Sequence, residues 1–122
     1  MNKIFMRTRY ETFEIELNDS DTANAVYLAL PLTKEVNLWS GEIYFEIPVE
    51  HELENSKKVL DVGEVAYWPE GKAFCIFFGR TPFSKGNAPE AYGPVTPIGK
   101  VVSNLEKLEE MADRTEISLT HS

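Results

Sequence analysis

Gly63-Glu64-Val65-Ala66-Tyr67-Trp68-Pro69-Glu70-Gly71-Lys72-Ala73-Phe74-Cys75-Ile76-Phe77-Phe78-Gly79 reads as a hairpin. Glu64 to Trp68 forms one strand and Ala73 to Phe78 the next, with Pro69-Glu70-Gly71-Lys72 as the tight connection. Proline pre-sets φ early in such a turn, and glycine supplies the later position that needs a positive φ. The run Phe74-Cys75-Ile76-Phe77-Phe78 is apolar on both faces. Its strand is therefore covered on both sides and central in its sheet. Cys75 is the single cysteine, so no intrachain disulfide forms. Its apolar neighbours make it a small core residue, since a reactive thiol wants a positive, partly exposed setting.

Short strands and turn signals continue on either side. Ile4 to Arg9 and Thr12 to Leu17 are two strands; in the second, Phe13, Ile15 and Leu17 alternate with polar residues, the period of a half-buried strand. A helix is expected from about Thr22 to Leu30. Ser20 or Asp21 caps it, Ala23, Val26, Tyr27 and Leu30 form one apolar stripe, and Pro31 ends it. Val36 to Trp39 and Glu42 to Ile47 read as paired antiparallel strands about a Ser40-Gly41 turn. Glu50 to Lys58 is charged and reads as an exposed loop. Gly79 to Pro94, with three prolines and three glycines, reads as the longest irregular segment, a length often tied to function. Val95 to Val102 is a further strand. Ser103-Asn104-Leu105-Glu106 has the capping-box spacing for a second helix to about Ala112, and Thr115 to Thr120 closes the chain. Eight short strands with two short helices mean a sandwich or a barrel, and the pattern alone leaves that choice open.

The 122 residues form a single domain, 1–122, long enough to hold a core without metal or disulfide staples. The formal net charge is −8. The one basic cluster, Lys3, Arg7 and Arg9, alternates with apolar residues as a solvent-facing strand would. Nucleic-acid binding and an anionic membrane surface are both disfavoured by this balance. The N-terminus lacks the apolar core of a signal peptide, so the cytoplasm is the expected location.

The element order, one helix early and one before the last strand, resembles that of cyclophilins. Phe13 to Leu30-Pro31, the stretch from Gly63 to Gly71 with Ala73 to Gly79 and Thr81-Pro82, and Ile98-Gly99-Lys100-Val101-Val102 with Leu105 to Met111 together resemble the small cyclophilin-like family of bacteria and archaea. The resemblance covers nearly the whole chain. It implies a mainly β fold, a closed eight-stranded cyclophilin-like β-barrel with two short helices. Cyclophilins isomerise X-Pro bonds with an arginine that follows a Phe-His pair. The matching segment here is Tyr44-Phe45-Glu46-Ile47-Pro48, which puts Glu46 at that place. An ionised acid cannot donate the hydrogen bond the arginine makes, so no residue carries over a catalytic role.

The residues themselves point to a ligand site. Tyr44, Tyr67, Phe78, Phe83 and Tyr92 are the aromatics expected to line a groove, the usual make-up of a peptide or small-ligand site. Arg80 opens the long loop and is the candidate to offer a fork of donors to a carbonyl or carboxylate. His51 lies between Glu50 and Glu52, too few ligands for a metal site, so neither a metal nor a cofactor is expected. No nucleophile elbow, P-loop or dinucleotide turn is present. Three functions follow: a barrel that binds a peptide or small molecule without cyclophilin chemistry, an isomerase in which Arg80 replaces the missing arginine, or a subunit or regulatory domain beside a protein partner.

Overall fold

A computed structural model describes residues 2–122. The central hairpin consists of β7 (Glu64–Trp68) and β8 (Ala73–Phe77), paired antiparallel with Ala66 opposite Cys75 and Trp68 opposite Ala73. The Lys72 amide donates to the Pro69 carbonyl at 3.2 Å to close the turn. The positive φ falls on Lys72, at 49°, and not on Gly71. Gly71 is needed for room instead, because a Cβ there would stand 2.5 Å from the Trp68 ring. All five residues of β8 are buried, as its two-faced apolarity requires.

Around this hairpin run β1 (Lys3–Arg7), β2 (Thr12–Leu17), α1 (Asp21–Leu28), β3 (Leu32–Glu35), β4 (Asn37–Trp39), β5 (Glu42–Glu46), β6 (Lys57–Val59), β9 (Glu90–Val101), a 3-10 helix (Leu105–Glu110) and β10 (Glu116–Thr120). The strands join in the order β3-β10-β1-β2-β9-β7-β8-β5-β4, with β6 on β9. The inner face of the rolled sheet holds the main core. Tyr67, Phe74, Ile76, Phe45 and Ile43 meet Ile4, Phe13, Ile15 and Ile117 from its other half, and α1 adds Ala23 and Val26.

The expectation of a closed eight-stranded barrel is corrected: the described residues form ten strands, and the sheet is not closed by hydrogen bonds. Its two edge strands, β3 and β4, are consecutive in the chain and separated only by Val36. With no turn between them they cannot pair antiparallel, and parallel pairing needs a connection of roughly a dozen residues or more. Val36 instead bonds to the segment before β10, donating to the Thr115 carbonyl and accepting from the Arg114 amide. Covalent continuity joins the two edges where a ladder does not.

The additional strands are short or atypical. β3 carries one apolar residue, Leu32, and β6 is Lys-Lys-Val, composition that reads as loop. β9 begins at Glu90, inside the segment expected to be irregular, and contains Pro94 and Pro97. Its register against β7 shifts where Ala66 faces Pro97 and Val65 faces Gly99, a bulge that tolerates a proline without an N–H donor.

Two further expectations change. Ser103 does not cap the second helix: its hydroxyl accepts from the Glu14 amide at 2.9 Å, and left-handed Asn104 precedes a 3-10 turn. Residues 50–56 form the mostly exposed loop expected, but β6 begins at Lys57 and the loop is anchored to α1. The Glu54 carboxylate takes the amide of Thr22 at 3.0 Å and its hydroxyl at 2.7 Å, joining Ser20 in capping α1, where a negative charge complements the helix dipole. His51 Nδ1 lies 2.9 Å from both the Thr22 hydroxyl and the Glu52 carbonyl. Since that hydroxyl donates to Glu54, His51 Nδ1 carries the proton. No helix among the described residues is long and apolar enough to cross a membrane.

Candidate functional site

Period-two alternation puts Glu42 and Tyr44 of β5, Ala73, Cys75 and Phe77 of β8, and Ala66 and Trp68 of β7 on the outer face of the sheet. That face carries a second apolar cluster. Ala91 and Val95, from the first half of β9, pack with Leu60 onto Ala66, Ala73, Cys75 and Phe77. This cover is incomplete, and beside it lies a cleft of about 260 Å³ lined by Trp39, Glu42, Tyr44, Trp68, Cys75, Ala91, Tyr92, Gly93 and Val95.

Aromatic rings form its walls. Tyr92 meets Trp39 edge-on at 6.2 Å between centroids and Trp68 at 5.6 Å. Phe83 stacks on Tyr92 at 5.4 Å and meets Trp39 at 5.3 Å, so it buttresses the wall from outside. Trp68 Nε1 is buried and has no acceptor among the described residues. A Cβ on Gly93 would stand 3.5 Å from that nitrogen, an ordinary contact distance that places β9 beside the indole.

Glu42 is 6 % exposed. Burial pushes its carboxyl up to about 7, partly offset by a hydrogen bond from Cys75. The thiol is pushed up in turn, first by burial and then by the Glu42 charge. Its alternative acceptor is the Ala73 carbonyl, 3.7 Å away. Cys75 is thus a buried, protonated thiol, as its apolar run implied.

Of the six residues expected to line a groove, the cleft contains Tyr44 and Tyr92. Phe83 stands behind Tyr92. Tyr67 does not line this cleft: alternation carries it to the inner face, fully buried in the main core, where its hydroxyl donates to the Val49 carbonyl. Phe78 also packs against the main core. Arg80 does not reach the cleft. It is exposed and donates to the Ser84 carbonyl at 3.2 Å. Thr81 and Ser84 staple the same loop, through the Glu90 and Ala88 carbonyls. Glu46 is exposed at the end of β5 beyond Tyr44, opposite Ala73. His121 Nε2 sits 2.7 Å from the Tyr27 carbonyl, far from the cleft residues in the fold.

Sequence reasoning missed Trp39, Glu42, Cys75, Ala91, Gly93 and Val95 as lining residues. The usable signal was the two-faced apolarity of β8: any strand beside it has neighbours covered on its outer face too, which buries Glu42. Knowing that β5 is that strand requires the pairing itself.

Comparisons place these features in a family. The family model described as cyclophilin-like matches residues 2–120. Among solved structures, the solution structure of a hypothetical protein from Archaeoglobus fulgidus is similar, with 36% identity and a TM-score of 0.84, over 99% of this chain and 95% of that one. No curated protein matches. The shared fold and a match over nearly the full length lead to one assignment: the chain belongs to the cyclophilin-like family.

Proposed function

We propose that this protein is a binding module that seats one residue of a peptide, or a small molecule of similar size, in the outer-face cleft, without cyclophilin-type catalysis. The observation that carries this reading is a concave, aromatic-walled site opening over a buried carboxyl. Ligand sites have this composition, an apolar lining with few placed polar groups. At about 260 Å³ the cleft is below the roughly 300–1,000 Å³ of pockets for drug-sized molecules, which argues for a single side chain or one compact group. Trp68 Nε1 adds a donor with no acceptor, and leaving such a group unmet costs about 1–3 kcal/mol. A ligand oxygen reaching it recovers part of that cost. Prolyl isomerisation in cyclophilin fashion calls for a guanidinium beside the prolyl nitrogen, and none lines this cleft among the described residues.

The chain has two tryptophans, and both line the cleft. A titration with proline peptides and small metabolites, read at the two indole N–H signals, tests the reading. Binding shifts both signals and leaves the Arg80 amide in place. A panel that moves neither indole overturns it. A protease-coupled assay is expected to give the uncatalysed isomerisation rate, with Arg80→Ala identical to the unsubstituted protein.

A further inference from the structure

We propose that the cleft selects a small organic cation of the alkylated ammonium class, held against Trp39, Trp68 and Tyr92 with its charge offset by the Glu42 carboxylate. This rests on the binding reading above and adds the ligand's chemical class.

Two buried acids differ in their surroundings. Glu42 and Glu90 are the buried carboxyls among the described residues. Glu90 has Lys85 at 3.2 Å. Glu42 has no basic side chain beside it: the cleft contains no Lys, Arg or His, and the remaining ion pairs lie elsewhere. A buried charge without a partner is costly, and a carboxyl in that position keeps its proton. A cation entering the cleft supplies the missing partner and draws the carboxyl into its ionised form.

The walls decide which cation. Ring faces attract a positive charge through their quadrupoles, most strongly when water is excluded. A hard metal ion needs about six to eight oxygen ligands, and the cleft offers one carboxylate. A primary ammonium brings three N–H donors, each needing an acceptor. An alkylated nitrogen brings charge with apolar surface, which matches aromatic walls over a single acid. The net charge of −8 raises the local concentration of any cation.

The pH response separates a cation from a neutral ligand. The groups facing Glu42 are Cys75 from β8, Tyr44 from its own strand, Trp39 from β4 and Tyr92 from β9. A cation needs Glu42 ionised. With its carboxyl at about 7, the ionised fraction and hence the affinity rise about tenfold from pH 6 to pH 8. A neutral carbonyl ligand would accept from the protonated acid, and its affinity would fall over the same range.

The test uses choline and its neutral isostere 3,3-dimethylbutan-1-ol, in which carbon replaces the charged nitrogen. Tryptophan fluorescence of the full chain is titrated with each at pH 6, 7 and 8. Choline is expected to bind more tightly than the isostere, with the tenfold rise. Glu42→Gln abolishes that rise and lowers choline affinity by about tenfold or more. If the isostere binds as well as choline, or choline affinity falls with pH, the cation assignment is overturned while cleft binding stands. If neither perturbs the tryptophans, the cation assignment is overturned, and cleft binding is decided by the peptide and metabolite panel. The comparison of choline with its isostere needs no variant, so a poorly folding Glu42→Gln leaves the proposal falsifiable.

Discussion

Replacing Glu42 with glutamine removes a pH dependence that burial imposes on folding. In the folded chain this carboxyl is raised from its ordinary value of 4.5 to about 7, chiefly by desolvation. Folding therefore favours the protonated form. Below pH 4.5 both folded and unfolded chains hold the proton, and the neutral buried acid keeps its full contribution. Between pH 4.5 and 7 the unfolded chain has lost the proton and the folded chain has not, so stability falls as pH rises. Above about 7 both are ionised and the loss is complete. At 1.36 kcal/mol per pH unit, the interval between 4.5 and about 7 amounts to a loss of about 3 kcal/mol. That is a large part of the roughly 5–15 kcal/mol typical of a domain. Glutamine occupies nearly the same volume and never ionises. Urea unfolding of both proteins from pH 5 to 8.5 gives the difference curve, in which the other carboxylates cancel. The variant is expected to gain on the parent as pH rises, by about 2–3 kcal/mol across the range, and then level off. Two parallel curves would refute the reasoning, since they would mean that Glu42 is solvated or carries a cationic partner.

Other perturbations probe other parts of the structure. Tyr67→Phe leaves the buried Val49 carbonyl without its donor and is expected to cost about 1–2 kcal/mol in urea unfolding, with ligand binding unchanged because Tyr67 faces the main core. Gly41→Ala places a Cβ 2.1 Å from the Gly79 backbone and costs roughly 3 kcal/mol or prevents folding, whereas Gly86→Ala meets nothing within 4 Å and stays within about 0.5 kcal/mol by the same measurement. Arg80→Ala breaks only the bond to Ser84; tryptophan fluorescence titration is expected to give unchanged ligand affinity. Glu54→Gln weakens the cap of α1 and lowers Tm at neutral pH. Because the Thr22 hydroxyl and amide hold the Glu54 carboxyl below its usual range, this contribution is present above the ordinary value and is lost as pH falls, the opposite sign to Glu42.

Much of the fold could be read from local pattern. The hairpin about Pro69–Lys72, the capped helix ending before Pro31 and the buried Cys75 follow from turn chemistry, periodicity and apolar runs. These are interactions among residues a few positions apart, and the chain states them directly. β3 and β6 could not be read that way. They are edge or near-edge strands whose identity comes from a partner's hydrogen bonds, and their own side chains bury little. The prolines of β9 concealed a strand because proline forbids a ladder bond locally, while the bulge that accommodates it exists only in the paired sheet.

Local pattern was enough for a mainly β domain of the cyclophilin-like kind with a central two-faced strand. How the sheet rolls, and which face carries the cleft, follow from the pairing of strands distant in the chain. Val36 carries the chain between the two sheet edges in a single residue, so the ring is joined by covalent bonds and left open in its ladder. Alternation made Glu42, Tyr44 and Tyr67 equal candidates for either face. Pairing β7 and β5 with β8 sent Tyr67 into the main core and Glu42 to the outer face, which the first half of β9 covers in part. Burial is a property of neighbours far apart in the chain, and it is burial that turns an ordinary strand glutamate into a carboxyl that holds its proton up to about pH 7.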